Sequence, residues 1–208
     1  IHSLWSFKED FPELHVIAAG SLLEFALKDL HSFGVGRIRS LFMYPMSFDE
    51  FLAAQGKTLW FEAKREANSQ KPLFNELHRE LIGQFRTFLL VGGMPASVAK
   101  WVETHDYVLA ANEQDDIQQT YYDDFAKYAK KIDPQLLRNT LQSVVSQIGG
   151  KFVYSKVQGN AGSEEVKKAL QMLSDAGIIK RVIHSAGNGL PLGAESNLKF
   201  QKYIFLDS

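Results

Sequence analysis

The chain has no cysteine, which excludes disulfides, thiolate metal sites and cysteine nucleophiles. That composition fits a reducing compartment, and a cytoplasmic location is expected. No apolar run approaches the roughly 18–20 residues that cross a bilayer, so no membrane partner is expected. Charge of one sign is also missing: 23 Lys and Arg against 24 Asp and Glu leave a formal net charge of -1. Any nucleic-acid surface must therefore be local. The start, Ile1-His2-Ser3-Leu4-Trp5, has no initiator Met and no basic start before an apolar core, so it is not a signal peptide. The expectation is that the sequence begins inside a longer protein. His15, His31 and His78 lack metal-ligand spacing with each other or with carboxylates, and no metal site is expected.

What is present is an ordinary globular composition, 45% apolar and 23% charged, long enough for one large domain or two small ones. The first strand candidate is His15–Ala19, an apolar run between Pro12 and Gly20-Ser21, followed by a short helix over Leu22–Leu30. Ile38–Tyr44 reads as extended and leads into a helix from Phe48 to about Ala54. There Ser47 is the N-cap, and Glu50, three residues on, its capping-box partner. Helical patterning recurs over Leu73–Leu90, breaks at Gly92-Gly93-Met94-Pro95, resumes at Val98, Trp101 and Val102, and returns over Tyr107–Tyr128.

The last part changes character. Pro134–Gln147 carries an apolar stripe and stops at Gly149-Gly150. Phe152–Val157 reads as a short strand or helix. Ser163 is expected to cap an amphipathic helix over Glu164–Ala176, with strands at Ile178–His184 and Phe200–Leu206 about a turn at Gly187-Asn188-Gly189. Helix, short element, helix and hairpin is the order of a winged helix-turn-helix.

Several runs then carry a family resemblance. Glu13–Glu24, with Val16-Ile17-Ala18-Ala19-Gly20-Ser21 at its centre, resembles the fourth core strand of prokaryotic AAA+ ATPases with a C-terminal winged-helix region. Val35-Gly36-Arg37, Tyr44–Leu52, Val91-Gly92-Gly93-Met94-Pro95 and the closing Tyr203-Ile204-Phe205-Leu206-Asp207 are similar to that family in the same order. The resemblance implies a mainly α chain with some α/β. Its parts are the end of an AAA+ nucleotide-binding core over 1–45, a helical lid and connector over 46–132, and the winged helix-turn-helix over 133–208. It also implies ATP and Mg²⁺ in the intact protein, with ATP binding and hydrolysis moving the lid and the winged helix. This sequence has no Gly-x-x-x-x-Gly-Lys-Ser/Thr and no apolar strand ending in Asp-Glu. The 208 residues alone are thus expected to hold neither ATP nor Mg²⁺ and not to be catalytic.

On that resemblance Ser21, at the strand end where open α/β sheets bind ligands, is the sensor candidate, or else a helix cap. Arg37 is the arginine-finger candidate, with Arg39 competing, or else a partner for lid carboxylates. A finger acting across subunits would need a homo-oligomer. Gly92-Gly93-Met94-Pro95 is taken as a hinge rather than a nucleotide-facing turn. Asp115-Asp116 and Asp123-Asp124 lie about 100° apart within each pair on a helix and are expected on a solvated face.

From Lys151 to Ser208 eight Lys and Arg stand against five Asp and Glu. Lys156, Lys167, Lys168, Lys180 and Arg181 are the nucleic-acid candidates, with duplex DNA as the partner. The alternative to the ATPase is a non-catalytic DNA-binding or regulatory module.

Overall fold

The computed structural model describes residues 7, 9–17, 39, 41–126, 129 and 131–207. These are mainly helical, with seven α-helices and one two-stranded sheet. Ser21, Arg37 and the expected helix over Leu22–Leu30 lie outside the described residues. Of the strand expected at His15–Ala19, His15–Ile17 are described. They have no strand pairing, and Ile17 is 97% exposed. A strand of a parallel sheet needs at least one neighbouring strand to pair with, and the only sheet among the described residues is the C-terminal pair. No helix among the described residues is long and apolar enough to cross a membrane.

The chain divides into two units, one of residues 1–43 with 135–204 and one of 44–134 with 205–208. The second is helical. Its α1, Phe48–Ala54, opens with the expected capping box: Ser47 Oγ accepts from the Glu50 N–H at 3.3 Å, and Glu50 Oε2 accepts from the Ser47 N–H at 2.7 Å. α2 is Thr58–Glu66, α3 Asn75–Val91, α4 Pro95–Thr104 and α5 Tyr107–Ala126. Helix α2 escaped the sequence reading because its apolar residues, Leu59, Trp60 and Phe61, run consecutively rather than at helical spacing, and none is fully buried. Phe51 of α1 packs with Val91, Val98, Trp101 and Ala110, whereas Leu52, its neighbour, packs with Leu77 and Leu81. Consecutive residues of one short helix thus seed two clusters. On α5, Asp115 and Asp116 are exposed as expected, but Asp124 is buried, because the helix turns that face inward beside Phe125.

The other unit contains α6, Pro134–Ser146 except its first residue, a 3₁₀ turn at Tyr154–Lys156, α7, Ser163–Asp175, and strands β1, Ile179–Ser185, and β2, Ser196–Phe205 but for its last residue. The N-cap of α7 is Gly162 rather than Ser163. Gly162 holds the extended cap backbone, and its N–H donates to Glu165 Oε2 at 2.8 Å, leaving Ser163 as the first helical residue. Val166, Ala169, Leu170 and Leu173 form the buried stripe of α7, at the i, i+3, i+4, i+7 spacing that one helix face requires. The connection between β1 and β2 is too short for a crossover, so the strands are antiparallel.

Candidate nucleic-acid interface and the glycine junction

Three of the runs that carry the family resemblance meet at one residue of the helical unit. Helix α3 ends at Gly92, whose φ of 73° lies in the region that favours glycine. The next residue, Gly93, accepts from the Met46 N–H at 2.7 Å, and its own N–H donates to both carboxylate oxygens of Asp207, at 2.8 and 2.9 Å. A Cβ at Gly93 would stand 2.3 Å from the Met46 carbonyl oxygen, so no other residue fits without moving backbone. The orphan carbonyls at the end of α3 are taken up by side chains. Gln114 donates to Val91 O at 2.7 Å, and the fully buried Ser97 hydroxyl to the same oxygen at 2.8 Å. Burial and the Asp207 charge together raise the Tyr121 hydroxyl above the ordinary tyrosine range.

This geometry bears on nucleotide chemistry. The Gly93 N–H, the donor a phosphate would need, is spent on Asp207. A nearby depression of about 400 Å³ is lined by Met46, Ala54, Pro95, Val98, Ala99, Val102 and Glu103. Its one charged lining residue is an acid, Glu103, paired with Lys100 at 3.0 Å. No three His, Asp or Glu residues among those described converge as a metal requires. Gly92-Gly93 is a fastened junction.

The basic candidates lie on the other unit. Lys156, Lys167, Lys168, Lys180 and Arg181 are all exposed. Together β1 and β2 carry Lys180, Arg181, Lys199 and Lys202 and no acidic residue. Alternation along β1 separates two of the five: Lys180 falls on the same face as Val182 and His184, and Arg181 on the opposite face. Lys167 is partly neutralised by Glu164, Nζ to Oε1 at 2.6 Å. That hydrogen bond raises the lysine above its ordinary range and lowers the glutamate. The first turn of α7 carries Glu164 and Glu165, a poor surface for the phosphates that flank a groove.

The sequence reading missed a polar cluster behind these cations. Gln201 is buried on β2. Its amide donates to the Tyr154 hydroxyl, and its Oε1 accepts from the Tyr203 hydroxyl at 3.4 Å. Phe152 packs edge-on to both tyrosine rings, at 5.7 and 5.2 Å, and its N–H donates to the Gln201 carbonyl at 2.9 Å. Burial pushes the Tyr203 hydroxyl up to about 12, with Tyr154 adding to the shift and Arg181 opposing it by charge and hydrogen bond. The available signal was the period of two, which puts Gln201 and Tyr203 on one face of β2.

A mainly helical protein whose C-terminal helices are followed by two paired strands without acidic residues is the class these observations define. The chain belongs to the family described as Domain of unknown function (DUF8612), whose model matches residues 82–208. That span contains Gly93, Asp207 and all five basic candidates. No curated protein and no solved structure matches the chain.

Proposed function

We propose that residues 133–208 include a winged-helix module that contacts duplex DNA through its phosphates. The carrying observation is the strand pair: Lys180, Arg181, Lys199 and Lys202 with no carboxylate on either strand, divided between the two faces, in the same unit as exposed Lys156 and Lys168. Cations so distributed attract a polyanion without reading its bases, because phosphate contacts fix position and carry no sequence information. The acidic first turn of α7 argues for the same division, with backbone contact dominant and base recognition weak. Replacing Lys156, Lys168 and Arg181 by Ala together tests the reading. We expect binding to a labelled duplex to weaken at least about tenfold at low salt. Unchanged affinity would contradict it and favour a protein partner for the winged helix.

A second reading keeps the ATPase. Tyr44–Leu52, Val91–Pro95 and the closing run at Asp207 resemble separate motifs of one AAA+ family, and their meeting at Gly93 supports treating them as one joint. In this reading ATP and Mg²⁺ are held by other parts of the natural protein, and hydrolysis moves the lid and winged helix. Ser21 acts as sensor and Arg37 as finger, within its own subunit or across a homo-oligomer. The encoding reading frame tests it: a phosphate loop and an acidic strand end belong there, and a frame without them sinks the ATPase. Mass in solution tests the oligomer.

A further inference from the structure

The strand pair has a second face, opposite the one that carries Arg181. The His184 and Phe200 ring centroids are 6.1 Å apart, so the even-numbered residues of β1 and β2 share that face. Lys180 and Lys202 lie on it too. The segment before the 3₁₀ turn runs beside β2, because the Phe152 N–H donates to the Gln201 carbonyl at 2.9 Å. That pairing sets Lys151 next to Phe200, with Nζ 4.4 Å from the ring centroid, within reach of a cation–π attraction. Phe200 is nevertheless 51% exposed, and His184, Lys151 and Lys202 are exposed as well. Phosphate contacts alone call for cations and not for an open aromatic ring among them.

We propose that this face is a stacking platform for unpaired bases, taking a single-stranded DNA segment that adjoins the bound duplex. It rests on the DNA reading given above and adds a second substrate class to the same unit. The occupant follows from ring and charge together. An aromatic face stacks on a base of any sequence, and the lysines beside it hold the phosphates of the same strand. A purely apolar partner would instead have to bury Lys151 and Lys202 without counter-charges, at a cost. Lys151 Nζ lies over the Phe200 ring, and its flexible stem lets the ammonium move onto a phosphate as a base takes its place. His184 extends the aromatic surface onto β1.

The test compares binding of the 208-residue chain to three labelled DNAs: a blunt duplex, the same duplex with a tail of about eight thymidines, and the thymidine strand alone. The tail is expected to raise wild-type affinity at least about tenfold, the effect of one stacked base. Phe200→Ala should abolish that gain and leave affinity for the blunt duplex within about twofold, which also shows that the variant folds. Phe200→Trp, which keeps an aromatic face, should retain the gain. Lys151→Gln should reduce the magnitude of the log–log salt slope by about 0.7 on the thymidine strand and leave the blunt-duplex slope unchanged. A wild type that binds the blunt duplex but gains nothing from the tail overturns the platform, leaves the duplex reading intact and favours a protein partner for this face. A gain that survives Phe200→Ala overturns the platform equally. No binding of the blunt duplex at low salt overturns the duplex reading, and the platform with it.

Discussion

At the scale of single residues, Gly93 is the position with least freedom. An alanine there would put its Cβ against the Met46 carbonyl, and the neighbouring Gly92 is closed on its own side by Asp207 at 3.0 Å. Gly93→Ala is expected to cost about 3 kcal/mol, in the range of overpacked core sites. Gly83 supplies the control: it lies exposed inside α3, with nothing within 4 Å of a built Cβ. Gly83→Ala is expected to stabilise by about 0.5–1 kcal/mol, since only helix entropy is at stake. Chemical denaturation of the two variants checks the contrast, and equal effects would mean the junction yields more easily than its geometry implies. Tyr203 gives a prediction in pH. Its folded pKa of about 12 stands above the unfolded value of roughly 10, so the native state keeps a proton that the unfolded chain loses. Its contribution is complete below about pH 10 and is lost as pH rises through about 12. Tyr203→Phe is expected to flatten this alkaline arm of the unfolding profile. An arm as steep as in the wild type would assign it to other groups.

At the scale of elements, the start of α1 is the clearest local design. Ser47 and Glu50 satisfy each other's backbone N–H groups, and hydrogen bonds from Ser47 hold the Glu50 carboxyl below the usual range. Ser47→Ala is expected to cost about 1 kcal/mol. Because the folded pKa of Glu50 is depressed, the cap's contribution is present above the ordinary carboxylate value of about 4.3 and is lost as pH falls below it. Glu50→Gln is expected to shallow that acid arm, measured by thermal unfolding between neutral and acid pH. This cap was legible in the sequence because all its partners lie within four residues. So were the ends of α3 at Gly92 and of α7 at Gly177, where glycine breaks a regular pattern. Helix α2 was not legible, lacking both a side-chain cap and a spaced stripe. The burial of Asp124 was hidden for a related reason, since its sequence neighbours look like a solvated face until Phe125 fixes the helix rotation. The five basic residues were visible as charges. Their division between the two faces of β1 followed from strand alternation only once the strand's edges were known. Gln201 reaches Tyr154 across 47 positions, and no local pattern encodes such a pairing.

At the scale of the molecule, the two units carry different features. The helical unit, with residues 205–208, closes the Gly93 junction on Asp207 and spends its glycine donor there. The unit of residues 135–204 carries the basic hairpin and the tyrosine–glutamine cluster. The family match over residues 82–208 includes both features. Duplex binding is accordingly the function to be tested first, and it has a distinctive signature. The decisive measurement is affinity of the 208-residue chain for a labelled DNA duplex across a range of salt concentrations. With Lys180 turned away from Arg181 and Lys167 shared with Glu164, we predict a linear log–log dependence with a slope of about -3, equivalent to three or four phosphates. A complex that ignores salt, or no complex at low salt, would contradict the proposed interface.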